Sequence, residues 1–380
     1  MTITIKEVKT SKELALFIDL PWKIYADDPV WVPPLKFDVR EFLDPKKHPF
    51  YLHGTATQFL AFRNDEPAGR ILAADDPRYN EQNHTNTGTF GLFECVNDQT
   101  VANALLDAAS DWLRNKGRTK ITGPISYSTN YECGLLIQGF DMPPRIMMAH
   151  NPPYYVELLQ NWGLAKNKDL YAWWFKDPYD IVQKWTPVLK RLAVLAKDIT
   201  IRTFSRKTFG EDVEKCIEIY DSARKNWWWA CVDLTSAEVR YLAKQLNRIG
   251  DEKQILIAEM DGKPIGFSLT MPDMNEAIKP LNGRLTWWGI PLGLIRFLWR
   301  LRHVKTARMM VLCVLPEYRH RGIAERMIMQ TLDYGKTQRG YTSAELSWTD
   351  EDNDRINKII KRVGAEMYKT YRVYEKSLET

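Results

Sequence analysis

Residues Val311 to Ala324 read Val-Leu-Cys-Val-Leu-Pro-Glu-Tyr-Arg-His-Arg-Gly-Ile-Ala, and this stretch is spaced for chemistry. An aliphatic run stops at Pro316, a basic turn Arg319-His320-Arg321-Gly322 follows, and a helical pattern runs from Ile323 toward Tyr334. A strand that feeds a glycine turn into a helix aims several backbone N–H groups, with the positive end of the helix dipole, at one point. A pyrophosphate fits there. Gly322 lets the backbone approach without a Cβ in the way, and the two arginines add charge.

A second set of residues lies downstream. Ala344 to Thr349 reads as a strand, Asp350 to Asp354 as an acidic helix start, and Arg355 to Val363 as a helix that Gly364 ends. The tail Glu366 to Ser377 reads as one or two strands around Tyr368, Tyr371 and Tyr374.

The spacing Arg319, Gly322, Ala324 resembles the acyl-CoA motif of the GNAT acyltransferase superfamily, Arg/Gln-x-x-Gly-x-Gly/Ala. Asn353 before the downstream helix and Gly364 after it match the second part of that signature, and the likeness covers roughly Ile199 to Leu378. It implies an amine attacking the thioester of acetyl-CoA or a longer acyl-CoA, the co-substrate. The thioester would lie by Leu312 and Val314, the phosphates on Arg319, Arg321, Gly322, Ile323 and Ala324, and the pantetheine arm at Asn353. Many relatives carry a tyrosine four residues before the glycine to protonate the thiolate; here that residue is Ile360. Tyr371 or Tyr368 is then the expected acid. The strand before the phosphate turn offers no glutamate, so Glu345 on the neighbouring strand is the expected base, with Glu351 second. A metal is not expected.

The acceptor side is read from aromatics. Asn226-Trp-Trp-Trp precedes a helix starting near Ser236 with Glu238 placed as in a capping box. By the resemblance this connection borders the acceptor, which implicates Trp227, Trp228 and Trp229. Residues 123–155 form a long stretch of Pro, Gly, Asn and Tyr without helical period, expected to wall the same pocket through Tyr131 and Tyr154. The insertion Leu281 to Arg308 has no acidic residue and holds a basic amphipathic helix, which suits either domain packing or peripheral contact with a membrane.

These groups need a scaffold. The hairpin pattern of Gln254 to Asn275 recurs in Gln58 to Asn80, each a strand, a polar turn ending Pro-x-Gly, and a second strand. Trp112 to Tyr127 echoes Tyr334 to Trp348, and Tyr154 to Phe175 echoes Ile356 to Tyr374. The expected fold is α/β, of the α+β mixed-sheet kind, with two GNAT-like domains in tandem over 1–178 and 199–380. Residues 179–198 form a packed helical connector, apolar at Val188, Leu189, Leu192 and Leu195. The first unit has no phosphate turn: Phe93 to Thr100 holds neither Gly nor Arg, and Asp98 repels phosphate.

Composition bounds the rest. A chain of 380 residues with 44% hydrophobic and 27% charged content is globular and long enough for two domains. A net charge of +5 is too small to argue for nucleic acid, and five dispersed cysteines suit a reducing cytoplasm. No apolar run of about 18 residues offers a membrane span. The expected activity is acyl-CoA-dependent N-acylation of a small-molecule or lipid amine. A long-chain N-acyltransferase resembling the GNAT-like bacterial ceramide synthases, and a silent acyl-CoA-binding protein, are the alternatives.

Overall fold

The computed structural model describes residues 2–224, 229–230, 232–286 and 290–379. Trp227 and Trp228 of the expected acceptor wall, and Trp287 and Trp288 of the insertion, lie outside the described residues, as does the Leu195 side chain.

The first half begins with β1 (Ile3–Glu7), α1 (Ser11–Ile24) and α2 (Lys36–Phe42). The hairpin β2 (Thr55–Arg63) and β3 (Glu66–Asp75) comes next, then α3 (Pro77–Asn83), β4 (Thr87–Cys95), α4 (Gln99–Asn115) and β5 (Lys120–Gly123). Within the irregular stretch that follows lies only the short β6 (Leu135–Gln138), before α5 (Tyr155–Asn161) and β7 (Ala165–Lys176). The connector is one helix, α6 (Pro178–Leu195). The second half repeats the order with β8 (Ile199–Thr203), α7 (Phe209–Arg224), α8 (Ser236–Ile249), β9 (Ile255–Met260) and β10 (Lys263–Pro272). The insertion contributes α9 (Asn275–Ile278) and α10 (Leu292–Leu301). The chain closes with β11 (Thr306–Val314), α11 (Ile323–Arg339), β12 (Ser343–Asp350), α12 (Asp354–Arg362) and β13 (Glu366–Ser377).

All strands join one mixed sheet in the order β1-β2-β3-β4-β5-β13-β7-β12-β11-β10-β9-β8, with β6 on β13. Each half carries a parallel pair, β4 with β5 and β11 with β12, among antiparallel neighbours. The closing strands are exchanged. β7 ends the first half yet pairs with β12, while β13 ends the second and pairs with β5. They meet each other along Glu366↔Trp174 to Glu375↔Ala165, which fuses the halves into one sheet.

Strand alternation sets the two faces. In the first half Ile71 and Ala73 pack under α4 and α5, and Leu72 and Ala74 pack under Phe17 and Ile18 of α1. In the second half Met309 and Leu346 pack under α6, α11 and α12, while Phe267 and Cys313 pack under α7. The connector is a packed element: Ile181, Trp185 and Leu189 of α6 lie against the α11–α12 core. A second tie runs from the first half to α8. His53 stands between Asp76 Oδ1 at 3.1 Å and Glu238 Oε2 at 3.6 Å. Burial opposes its charge, but the two carboxylates prevail and push its pKa up to about 9.

Candidate functional site

The two parallel pairs separate in the same way and end differently. β11 and β12 stay paired only from Thr306↔Ser343 to Met309↔Leu346, and β4 and β5 only from Thr87↔Lys120 to Thr89↔Thr122. In the first half the chain fills its own gap. Ile125 N–H donates to Phe90 O at 2.6 Å, and a Cβ on Gly91 would lie 2.6 Å from Ile125 O. In the second half the gap stays open as a cleft of about 120 Å³, lined by Leu312, Val314, Arg319, Ala324, Ser347, Trp348, Asn353, Arg355 and Ile360 among others.

The cleft wall has a definite polarity. Leu315 N–H donates to Ile265 O across the β10 edge at 2.9 Å. Backbone groups alternate between strand edges, so the amides of Val314 and Leu312 face the cleft. Met310 is the extra residue of a bulge, since Leu269 pairs with Val311 and Thr270 with Met309.

At the end of β11 the turn delivers an open helix terminus. Gly322 is the N-cap of α11 at φ +70, and no side chain caps it. The first-turn amides have no partner within the helix and remain available to an anion. The matching helix of the first half is closed: Asp98 accepts from Thr100 N–H at 3.0 Å and pairs with Arg63 at 2.9 Å. The positive φ favours glycine at position 322, and a Cβ there would also lie 2.7 Å from the Leu192 side-chain end, which would have to shift.

The expected coenzyme residues divide by role. Leu312, Val314, Arg319, Ala324 and Asn353 line the cleft. Gly322 and the buried Ile323 form the helix start. Arg321 instead pairs with Asp198 at 2.7 Å. Arg319 donates from Nε to Val314 O at 2.9 Å and from Nη2 to Ala223 O at 3.3 Å, which braces the turn against α7. Asn353 caps α12, accepting from Ile356 N–H at 3.4 Å. Arg355 was not singled out in the sequence. It lines the cleft and donates to Arg319 O, and together with burial its charge lowers the Arg319 pKa. Two adjacent guanidiniums at an uncapped helix start suit a polyanion.

The expected acid–base residues lie deeper. Glu345 is fully buried, 3.3 Å from Arg308 Nε, and accepts from Ser347 Oγ at 2.5 Å and from the Tyr368 hydroxyl. Ser347, which lines the cleft, also accepts from Arg308 Nε at 2.8 Å, so the carboxylate reaches the cleft through a serine. Tyr371 is fully buried with its hydroxyl unpaired among the described residues, and burial first, then Glu345, raises its pKa far above the usual phenol range. Ile360 lines the cleft in its helical position and offers no proton. Glu351 holds Lys166 at 2.6 Å and Asp169 N–H, away from the cleft-lining set.

On the other face of β10 and β11 lies a larger cavity of about 250 Å³. Its walls are mainly apolar: Phe204, Phe209, Val213 and Ile217, then Leu242, Ile255, Phe267, Leu269 and Val311. Asn130, Ile146 and Met147 enter it from the first half. Met310 lines both spaces, so cavity and cleft are neighbours across the bulge. Buried ion pairs hold the wall. Asp273 pairs with Arg145 at 3.1 Å and accepts from Ile146 N–H at 3.0 Å, while Arg308 donates to Ile146 O. Burial pushes Asp273 up to about 6 against the pull of Arg145.

The expected acceptor residues fall elsewhere. Tyr131 is buried against Phe42 and His48, and Tyr154 is half-buried with its hydroxyl on Cys95 O at 2.8 Å. Trp229 packs against the buried cluster that contains Cys133, Leu136 and Tyr371. None of the three lines the cleft or the apolar cavity. The neighbour Asn130 does, held by Tyr220 at 3.1 Å. Among the described residues no cluster of His, Cys, Asp and Glu could hold a metal ion.

The acetyltransferase (GNAT) family model matches residues 220–365. The chain is 36% identical to the protein YghO of Escherichia coli, covering 96% of this chain and 93% of that one. It is likewise 36% identical to a bacterial ceramide synthase of Caulobacter vibrioides, covering 99% and 98%. Among solved structures, a tandem GNAT protein from the clavulanic acid biosynthesis pathway superposes with a TM-score of 0.57 at 13% identity, covering 100% of this chain and 99% of that one. One mixed sheet with two parallel pairs, one open and one filled, accounts for both the domain match and the full-length likeness, and the chain belongs to the GNAT acyltransferase family in its tandem form.

Proposed function

We propose that this protein transfers a long-chain acyl group from coenzyme A to the amino group of a lipid amine of the sphingoid-base type. The observation that carries this reading is the apolar cavity that adjoins the cleft across Met310, because a small polar amine receiving an acetyl group would use neither its size nor its lining. The full-length identity to a ceramide synthase supports the same substrate class.

In this reading the coenzyme binds only the second half. Its phosphates meet the open start of α11 at Gly322, Ile323 and Ala324, with Arg319 and Arg355 alongside, and the pantetheine passes Asn353. The Leu312 and Val314 amides face the thioester and polarise its carbonyl. The amine nitrogen attacks the carbonyl carbon and the C–S bond breaks. The proton lost from nitrogen passes to Ser347 Oγ, whose own proton moves to Glu345. Coenzyme A leaves as a thiolate, which needs no acid at the Ile360 position. Glu345 and Tyr371 thus act behind the cleft, through Ser347 and through packing. The units 1–178, 179–198 and 199–380 remain our reading of the domain boundaries in sequence, with the closing strands exchanged between them.

The test is a donor series from acetyl-CoA to palmitoyl-CoA at fixed sphingoid amine, read as kcat/KM. A rise with chain length, by up to about fourfold for each methylene that becomes buried, is expected. A flat or falling profile, with small polar amines accepted equally well, overturns the reading.

A further inference from the structure

We propose that the outward face of α10 docks the protein on an anionic lipid bilayer. The proposal goes beyond the acyl-transfer reading and stands on a surface distinct from the cleft. α10 belongs to the insertion between β10 and β11. One side of it is seated: Gly293, Phe297 and Leu301 turn inward, and Phe297 and Leu301 pack with Leu35, Ala277, Leu281 and Val304. Gly293 allows this closeness, since a Cβ there would lie 2.7 Å from Leu285 O.

The other side is apolar and uncovered. Ile290, Leu292, Leu294, Ile295, Leu298 and Trp299 are half of the twelve exposed large hydrophobic residues among those described, with Ile295 at 63% and Trp299 at 60% exposure. A water-facing helix would place these residues inward and its arginines outward. Here the helix buries one apolar stripe and presents another. So large a contiguous apolar patch on a soluble surface marks an interaction site.

Charge identifies the occupant. Arg284, Arg296, Arg302 and Lys305 of the same insertion are exposed, and no aspartate or glutamate occurs from Leu281 to Arg308. The nearby Glu276 is engaged by the Lys305 backbone N–H at 2.8 Å. An apolar strip with an aromatic member, in an insertion that carries exposed cations, complements acyl chains beneath anionic headgroups. A protein partner's apolar groove would not call for charge of one sign. At ten residues α10 is about 15 Å long, too short to span a bilayer and long enough to lie in its interface. The insertion hangs from the end of β10, whose Met271 lines the apolar cavity. A bilayer held there lies beside the strand end that borders the cavity, where a membrane-borne amine would have to arrive.

The experiment uses the full chain and vesicles of phosphatidylcholine alone or with a quarter phosphatidylglycerol, read by co-sedimentation at low and high salt. The protein should bind the anionic vesicles and be released by salt. Ile295→Asp with Trp299→Asp should reduce partitioning by more than about tenfold. Arg296→Glu with Arg302→Glu should do the same, since each basic side chain at an anionic surface contributes about fivefold. All four side chains are exposed, so circular dichroism and Tm should stay unchanged. Activity toward a water-soluble short-chain amine should also persist, while activity toward a vesicle-borne amine falls. Absence of binding to anionic vesicles, or equal binding by the variants, overturns the proposal. So does sedimentation showing a dimer that Ile295→Asp with Trp299→Asp dissolves, because the patch then belongs to a second copy of the chain. Vesicle binding is read without turnover, so a wrong acyl acceptor leaves this test intact.

Discussion

Replacing Cys216 by phenylalanine should shorten the apolar cavity and convert chain-length preference into a measurement of depth. Cys216 lies on α7 and lines the cavity, and burial pushes its thiol up to about 12, so the substitution removes no reactive thiolate. Phenylalanine adds five heavy atoms, the space of about four methylenes, and at about 0.8 kcal/mol each their exclusion costs about 3 kcal/mol. That is about two hundredfold in kcat/KM for any chain that reaches Cys216. The cavity of about 250 Å³ has room for the ring, so the usual overpacking penalty of about 1–3 kcal/mol should be largely absent. The assay runs two series: acetyl-, octanoyl- and palmitoyl-CoA at fixed amine, and short to long amines at fixed donor. Whichever substrate occupies the cavity should lose about two hundredfold at its long end and little at its short end. An equal loss at every length in both series would mean that the variant perturbs the fold or the cleft. No loss at any length would mean that no chain enters.

Four further outcomes follow from the same geometry. Ser347→Ala should lower kcat by about 10²–10⁴ with little change in coenzyme affinity, measured by turnover and by calorimetry. Arg355→Ala should weaken coenzyme A binding by about ten- to hundredfold, because a charge-assisted contact to phosphate is worth about 1.5–3 kcal/mol; an unchanged Kd would remove Arg355 from the site. The His53 tie should show in pH dependence. Its folded pKa of about 9 lies above the ordinary 6.5, so the stabilisation is complete below pH 6.5 and is lost as pH rises through 9; Tm should fall across that window, and less so in His53→Gln. Residues 1–178 and 199–380 expressed separately should fail to give cooperative unfolding transitions, since each would lack the strand that its sheet borrows from the other.

The strand–turn–helix at Gly322 was legible in sequence because its signals are local. Pro316 stops a strand, Gly322 takes a positive φ, and α11 begins beside them, all within a few residues. The same holds for the Asn353 cap, the Thr235–Glu238 capping box and the repeated hairpins, each governed by backbone conformation or short spacing. The missing glycine turn of the first half is equally local, and Asp98 caps the helix at the matching position.

What sequence reasoning could not reach depends on which strands lie side by side. A period-two pattern fixes which face of a strand is buried but not its neighbour, so the exchange of β7 and β13 leaves no local mark. That exchange buries Tyr371 in the shared centre and places Tyr368 on Glu345. Aromatic richness marked residues 123–155 as part of a pocket, yet Tyr131 and Tyr154 pack into the first-half core while Asn130, Ile146 and Met147 reach the cavity. Composition could not separate them, because the same aromatics serve a core and a pocket equally well. In α10 the pattern sets neither orientation nor cover: its apolar residues take more than half of the helix surface, and only the seat of Phe297 beside Leu35 and Leu281 decides which of them face outward. Local pattern alone therefore specifies a strand that turns at a glycine into an uncapped helix start. Only the folded sheet shows that the strand beside that turn opens rather than pairs, and that a greasy cavity lies across Met310 from the opening. Pairing and packing between residues far apart in sequence settled both.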